Sequence, residues 1–299
     1  MGGETQLALG PVLFNWTAER WRDFYFAVAD EAPVESVYLG EVVCSKRAPF
    51  FAPVLEDVVA RLDAAGKQVV FSTLALITNA REARAARELC ADETLLIEAN
   101  DPSALSYLRG RPHRVGPYVN VYNEDTLLHL AGDGARRVCL PVELPALSLA
   151  MLGKAAKGQA ELEVQVFGRL PLALSARCYH ARAHRLHKDN CQFVCGRDPD
   201  GMALSTISDQ PFLAVNGIQT LSHAYVNLIG ELAALKDMGI AAYRLSPHDC
   251  DMVQVANAFR DALDSRIDAK EATARLVEIA PEALFSKSFF DGEPQRASA

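Results

Sequence analysis

Short apolar runs alternate along the chain with longer stretches in which apolar residues have helical spacing. After Thr17, the residues Trp21, Phe24, Tyr25 and Val28 recur at intervals of three and four, which predicts an amphipathic helix with Thr17 as its N-cap. The short runs are largely apolar rather than cleanly alternating, as in parallel strands that helices cover on both faces. We predict strands at residues 7–16, 36–40, 68–73, 95–99, 114–121, 137–142, 162–167 and 240–245.

The helices predicted between these strands complete a regular βα alternation. After the last strand, Asp249 is positioned to cap one more helix. Roughly eight βα units in under 300 residues favour an α/β fold with a single β/α (TIM-like) barrel. A doubly wound open sheet is the alternative, but no G-x-G-x-x-G follows the first strand. The other predicted helices span residues 51–65, 79–91, 102–108, 124–130, 144–157, 224–238 and 270–278.

One segment interrupts the alternation after the seventh strand. Residues 173–216 contain a cysteine-bearing loop and a predicted hairpin with strands at 202–206 and 212–215. We therefore predict one barrel domain over residues 1–299, with this loop and hairpin as an insertion and residues 291–299 as a flexible tail.

The charge and composition exclude several classes of protein. The net charge of -8 argues against a general nucleic-acid binder, because that function needs a basic surface. No apolar run is long enough to cross a bilayer, and the N-terminus lacks the pattern of a secretory signal. We therefore expect a cytoplasmic protein. In a reducing cytosol the seven cysteines indicate metal-binding or buried thiols rather than disulfides.

Three of these cysteines lie close together in the inserted loop. Cys178, Cys191 and Cys195 follow the spacing C-x12-C-x3-C. In a barrel, Cys44 in the loop after the second strand lies on the same C-terminal face. Together they offer four thiolates, a set that suits zinc or an iron–sulfur cluster. The same loop carries three histidines and four basic residues: His180, His184, His187, Arg177, Arg182, Arg185 and Lys188.

The other three cysteines are poor candidates for ligands. Cys90 lies in a helical pattern and Cys139 in a predicted strand, so both are expected in the core. Cys250 stands between Asp249 and Asp251, whose carboxylates would raise the pKa of its thiol. The quartet Cys44, Cys178, Cys191 and Cys195 is what remains.

Residue chemistry alone leaves the choice between zinc and a cluster open. Cys191 and Cys195 form one zinc knuckle, which a histidine of the loop would complete. A cluster needs four thiolates and carries negative charge, which the basic residues of the loop compensate. We favour the cluster and expect the histidines on the loop surface or beside the ligands. Polar residues at predicted strand ends, to which we assign no catalytic role, are Asn15, Glu41, Asn100, Asn120, Glu143 and Arg169.

Three motifs resemble the collagenase-like peptidase family, and within it the branch that serves anaerobic ubiquinone biosynthesis. They are YLGEVVCSKR at 38–47, FGRLPLALSARCYHAR at 167–182 and KDNC at 188–191 followed by Cys195. The resemblance covers nearly the whole chain. It implies a 4Fe–4S cluster on the positions that match the cysteines of that branch, namely Cys44, Cys178, Cys191 and Cys195.

The resemblance also implies an activity and a partner. It implies a subunit that forms a heterodimer with a related subunit and hydroxylates the ring of ubiquinone precursors without dioxygen. The peptidase signature of the wider family is incomplete here. Gln165 replaces its first glutamate, and residues 173–175 lack its earlier cysteine. A zinc-dependent peptidase-like hydrolase and a scaffold with a structural cluster remain the alternatives.

Overall fold

Eight parallel strands form a closed barrel in the computed structural model, which describes residues 5–292. The eighth barrel strand pairs with the first and the seventh and so closes the ring. Gln6 lies opposite Ala242, and Ile240 lies opposite Leu162. The TIM-like barrel predicted from the sequence is confirmed. Its strands are β1 (Gln6–Leu9), β2 (Ser36–Leu39), β3 (Gln68–Ser72), β4 (Ile97–Ala99), β5 (His113–Val115), β6 (Ala135–Cys139), β7 (Glu161–Leu174) and β11 (Ile240–Leu245).

Helices connect these strands and bury their apolar faces against the barrel. The Thr17 side chain accepts a hydrogen bond from the Arg20 backbone N–H and caps the first helix, as predicted. The helix after β11 is capped by Asp251, two residues beyond the predicted Asp249. The helices are α1 (Ala18–Glu31), α2 (Ala48–Ala64), α3 (Ala80–Ala91), α4 (Pro102–Leu108), α5 (Glu124–Gly132), α6 (Ala146–Ala156), α7 (Tyr179–Ala183), α8 (Leu232–Asp237), α9 (Met252–Leu263) and α10 (Ala269–Ile279).

An antiparallel extension grows from the seventh barrel strand. The predicted hairpin is present as β8 (Met202–Ser205) and β9 (Pro211–Asn216). A further strand, β10 (Gln219–Asn227), joins this hairpin to the extended part of β7, and β12 (Phe285–Ser286) pairs with it. The predicted helix at 224–238 is therefore wrong in its first part. Its apolar residues take strand geometry because β7 supplies hydrogen-bonding partners, and the helix begins only at Leu232.

Charged side chains fill part of the barrel interior. Arg244 on β11 donates to the carboxylates of Glu98 on β4 and Glu163 on β7. Tyr38 donates to Glu163 at 2.7 Å, and Arg137 Nη1 lies 3.7 Å from the same carboxylate. Burial alone raises the pKa of Glu163, but Arg244 and Arg137 outweigh it and hold that pKa below its ordinary value. The charges of Arg244, Glu98, Glu163 and Arg137 are thus paired with one another, as a low-dielectric interior requires.

None of the helices within residues 5–292 has the length and hydropathy to cross a membrane. Of the predicted tail at 291–299, residues 293–299 lie outside the part that the structure describes.

Candidate metal centre

The four candidate cysteines come from separate elements at the C-terminal end of the barrel strands. Cys44 lies in the loop between β2 and α2. Cys178 follows the extended β7 and is the N-cap residue of α7, where its Sγ accepts a hydrogen bond from the Ala181 N–H at 3.4 Å. Cys191 ends a 3-10 turn, and Cys195 lies within the next one. The extension of β7 therefore carries the late cysteines back over the barrel rim.

All four thiols line one small cavity. The charge on Cys195 raises the pKa of both Cys44 and Cys178, which places these sulfurs within electrostatic reach of one another; burial is the larger cause of each shift. None of the described residues that line this cavity is a histidine. The other lining residues are Lys46, Arg47, Lys188, Phe193, Val194 and Gly217.

Glu41 fixes the loop that presents Cys44. Its Oε1 accepts hydrogen bonds from the backbone N–H groups of Val43 and Cys44, each at 2.8 Å. Burial raises the pKa of Glu41, while the nearby Arg47 opposes that shift. The carboxylate thus holds the Cys44 backbone in one conformation, and the positive charge of Arg47 stabilises it electrostatically.

Arg47 is the buried cation of this site. It donates from Nη1 to the Leu13 carbonyl at 2.7 Å and from Nη2 to Asn216 Oδ1 at 2.8 Å. Its buried Nε has no hydrogen-bond acceptor among oxygen and nitrogen atoms. Burial lowers the pKa of Arg47, but Glu41 and the thiols of Cys195 and Cys44 more than offset this and raise it. A fixed positive charge therefore lies beside the thiols.

The cysteine loop also holds unfavourable backbone conformations. Arg185, Gln192 and Phe193 all adopt positive φ, at 59°, 48° and 52°. Such conformations cost energy for residues with a side chain, and they gather at binding and catalytic sites. Lys46 secures the loop by donating to the Lys188 carbonyl.

This donor set fits a group held by four thiolates. Four cysteines line one cavity, and Arg47 and the two lysines supply positive charge beside them. A thiolate-bound cluster is negative and is stabilised by such neighbours. The histidines of the loop contribute nothing to this cavity, so a mixed cysteine–histidine zinc site has no support there.

Two of the loop histidines, His180 and His184, form a separate group with Asp198. His180 is fully buried, contrary to a place on the loop surface, and its Nε2 lies 2.8 Å from Asp198 Oδ2. The ring of His184 stacks on it with centroids 5.7 Å apart. Ligand atoms of His180, His184 and Asp198 all lie within 4.8 Å of one another. His187 is exposed and lies outside this group.

The remaining cysteines are placed as predicted. Cys90 and Cys139 are buried in the core. Burial and the carboxylates of Asp200, Asp249 and Asp251 raise the pKa of Cys250 to about 12. A thiol with that pKa stays protonated at neutral pH and is a poor ligand.

A second polar cluster at the rim was not anticipated from the sequence. Asp200 accepts hydrogen bonds from Arg169 Nη2 at 3.0 Å and from the Tyr225 hydroxyl at 2.6 Å, and it lies 2.5 Å from His248 Nδ1. His248 Nε2 accepts from the Arg169 N–H at 2.8 Å, so Nδ1 carries the proton donated to Asp200. This cluster joins the β8 side of the insertion to the barrel. Only Arg169 had been named, as a strand-end residue.

Two of the other polar rim residues, Asn100 and Glu143, have side-chain hydrogen-bonding partners. Asn100 donates to the Thr73 carbonyl at 3.2 Å within the barrel. Asn120 adopts a left-handed conformation with φ of 61°. Glu143 accepts from the exposed Tyr122 hydroxyl, and burial with this contact raises the pKa of Tyr122 to about 12.

The family profile of Peptidase family U32 matches residues 16–299. The chain belongs to this family. The match to Peptidase family U32 covers nearly the whole chain, including all four candidate cysteines. Because Gln165 and residues 173–175 depart from the family's peptidase signature, the family name does not establish proteolysis. In the structure, Gln165 is a neutral amide that donates to the Arg169 carbonyl at 2.9 Å.

Solved structures with a similar chain path include another member of the family. A U32 peptidase is 12% identical, with 83% of this chain and 94% of that chain covered and a TM-score of 0.45. The N-acetylneuraminate lyase from Mycoplasma synoviae is also 12% identical, with 92% and 79% covered and a TM-score of 0.44.

Proposed function

We propose that the chain is a UbiV-type iron–sulfur subunit of a dioxygen-independent hydroxylase that acts on the ring of ubiquinone precursors. Its 4Fe–4S cluster is held by Cys44, Cys178, Cys191 and Cys195. The observation that carries this proposal is the convergence of these four thiols, from two distant parts of the chain, on one cavity. The match of the whole chain to Peptidase family U32 agrees with it.

The chain's own residues prepare the site for that group. Glu41 orders the Cys44 loop, Arg47 supplies a buried positive charge, and Lys46 ties the cysteine loop to the barrel. When bound, the cluster supplies one-electron transfer. The adjoining barrel rim offers space for an organic substrate, where β/α barrels bind their ligands.

A related UbiU-type subunit is the proposed partner, in a heterodimer. The insertion exposes large side chains that the barrel leaves uncovered, with Phe212 at 58% exposure on the hairpin. Met202, at the start of the hairpin, is half-buried. Other exposed members of the insertion are Tyr179, Phe193, Leu204 and Ile207. Aromatic and aliphatic groups of this kind form the centres of protein interfaces.

Co-expression with the related subunit tests the proposed activity. Under anaerobic conditions the pair is expected to elute as a heterodimer in size exclusion with light scattering and to hydroxylate a ubiquinone precursor. Each subunit alone is expected to be inactive. A chain that stays monomeric in the presence of the related subunit and hydroxylates the precursor by itself would contradict the proposed heterodimer. An inactive pair with intact clusters would instead support a scaffold with a structural cluster.

One observation favours a second function, a zinc-dependent hydrolase. His180, His184 and Asp198 bring three metal-binding atoms together, and catalytic zinc sites use three protein ligands with an open position for water. Against it, the His180–Asp198 distance of 2.8 Å is that of a direct hydrogen bond. Zinc bound in one equivalent and lost in His184→Ala would favour this second function.

A further inference from the structure

A strongly basic surface lies beside the thiol cavity, although the chain as a whole carries a net charge of -8. Arg177, Arg182, Arg185, His187 and Lys188 line one concave surface together with Cys178. Among the described residues that line it, only Asp189 carries a carboxylate. The positive charge of this surface is therefore nearly uncompensated.

The arginines of this surface are not engaged in ion pairs within the chain. Over residues 5–292, no ion pair involves Arg177, Arg182 or Arg185, and all three are exposed. Asp189 is fully exposed and its nearest cation is Lys46, 3.8 Å away. Like charges held close together repel one another, so such a cluster favours an anionic partner.

The basic surface and the thiol cavity share a wall. Cys178 and Lys188 line both. A partner seated on the basic surface would therefore lie directly beside one of the four thiols. Arginine is enriched at protein-binding surfaces and among the residues that contribute most to binding.

We propose that the surface formed by Arg177, Arg182, Arg185 and Lys188 docks an acidic electron-carrier protein of the ferredoxin or flavodoxin class. This inference rests on the proposed function, because an electron carrier needs the cluster as its acceptor. With the cluster bound, one electron would pass to it from the reduced carrier, which would leave oxidised by one electron, and no atom, proton or covalent bond would be exchanged at the surface.

The shape and charge of the surface favour a small acidic protein over the other anionic partners. A flat bilayer does not enter a concave surface, whereas a compact carrier presents a convex one. Electron-carrier complexes are small and short-lived, and opposite charges speed their formation. The exposed arginines beside the thiol cavity provide the positive charge that would speed the binding of an acidic carrier.

Binding of a plant-type 2Fe–2S ferredoxin, used as the acidic probe, tests the proposal. The protein is purified anaerobically, together with its relative where the two copurify, and affinity is measured by titration calorimetry at low and high salt. The triple variant Arg177→Glu/Arg182→Glu/Arg185→Glu is expected to weaken binding at least about tenfold at low salt, with the loss shrinking at high salt. The matched control Arg81→Glu/Arg84→Glu, on exposed arginines of α3, is expected to change affinity less than about twofold.

Iron content and circular dichroism separate the possible outcomes. A triple variant with wild-type iron and fold but wild-type ferredoxin affinity would overturn the docking surface and leave the cluster standing. Absence of iron from the wild-type protein would overturn the proposed function and this inference with it. Arg177→Gln, which changes one exposed side chain, is expected to weaken ferredoxin binding by a smaller factor than the triple variant. Binding of phosphatidylserine vesicles in place of ferredoxin, lost in the triple variant, would identify a membrane surface and also overturn the proposal.

Discussion

Arg47 Nη2 donates to Asn216 Oδ1 at 2.8 Å, and this contact joins the loop of Cys44 to the insertion that carries the other three cysteines. Both side chains also donate to the Leu13 carbonyl, each at 2.7 Å. Asn216 Nδ2 lies 3.3 Å from Gln219 Oε1, and Gln219 donates to the Tyr118 hydroxyl at 2.8 Å. A buried polar chain therefore runs from the thiol cavity to the barrel rim.

Replacement of Arg47 is expected to damage both the fold and the site. Arg47→Met leaves the Glu41 carboxylate without its positive neighbour and leaves Asn216 Oδ1 without a donor, so we expect a loss of unfolding free energy on the order of 3 kcal/mol. Iron content should fall with it. Urea unfolding measures the first and iron analysis the second. Arg136→Met, at an exposed position, serves as the control and is expected to stay within about 0.5 kcal/mol of wild type. Equal changes of unfolding free energy and iron content in the two variants would show that Arg47 contributes to neither.

Gly217→Ala probes the same contact without removing a charge. A Cβ at Gly217 would lie 2.7 Å from Arg47 Nη2, and the residue has φ of +64°. Gly158 has a similar φ of +77° with no atom within 4 Å of an added Cβ, so Gly158→Ala measures the backbone strain alone. Strain costs about 1 kcal/mol in both variants, and we expect an additional loss of stability and of iron only in Gly217→Ala. Thermal unfolding that lowers both melting temperatures equally would contradict this expectation.

Substitution of each cysteine by alanine should divide the seven into two groups. Cys44, Cys178, Cys191 and Cys195 line the cavity, so each alanine variant should lose most of its iron. Alanine variants of Cys90, Cys139 and Cys250 should retain iron, apart from any loss that follows from cavities in the core. Iron content per folded chain decides between them. Loss of iron in Cys250→Ala with retention in Cys44→Ala would refute the assignment of the site.

The Asp200 cluster should make stability depend on acid. Burial raises the pKa of Asp200, but the hydrogen bonds from His248 and Tyr225 and the positive charge of Arg169 outweigh it and hold that pKa well below its ordinary value. Because the unfolded carboxylate takes up protons near pH 4 and the folded one only at lower pH, the stabilisation is complete above about pH 4 and is lost as pH falls further.

Asp200→Asn should remove this dependence. We expect the variant to lose on the order of 3 kcal/mol near neutral pH, because Arg169 is left without its carboxylate. Acid titration followed by circular dichroism should then show a smaller further loss below about pH 4 than in wild type. Asp57→Asn, on an exposed face of α2, is the control. An unchanged acid transition in Asp200→Asn would contradict the account of this cluster.

The barrel was predictable because its strands carry a strong local pattern. Residues buried on both faces of a parallel sheet form continuous apolar runs, and the last strand, Ile240–Leu245, matches its predicted bounds. The first strand was predicted at 7–16 but ends at Leu9, since the Gly10–Pro11 pair and the residues after it follow an irregular path.

The extension of β7 was not predictable from local pattern. Ala224, Tyr225 and Val226 suit a helix or a strand, and the β7 residues that pair with Tyr225 and Val226 lie nearly sixty residues earlier in the sequence. The pairing itself, a long-range contact, decides the conformation. This explains why the sequence predicts the hairpin of β8 and β9 but places a helix over the last residues of β10.

The sequence predicts that the four cysteines meet on one rim with basic residues of the loop beside them, and Lys188 does line the cavity, but it did not indicate the buried charge of Arg47. Arg47 follows Cys44 by three residues and had no reason in the sequence to be buried. The ion pairs inside the barrel have a clearer signal in the sequence. Glu98, Glu163 and Arg244 each place a charge within an otherwise apolar strand. A charge at such a position faces inward only if another strand supplies its partner, which the sequence of one strand cannot reveal.

Metal and sulfide analysis of the anaerobically purified protein tests the central proposal most directly. A 4Fe–4S cluster predicts about four iron and four acid-labile sulfide atoms per chain, with broad visible absorption that the four cysteine variants lack. One zinc atom per chain without sulfide, unaffected by Cys44→Ala and Cys178→Ala, would contradict it.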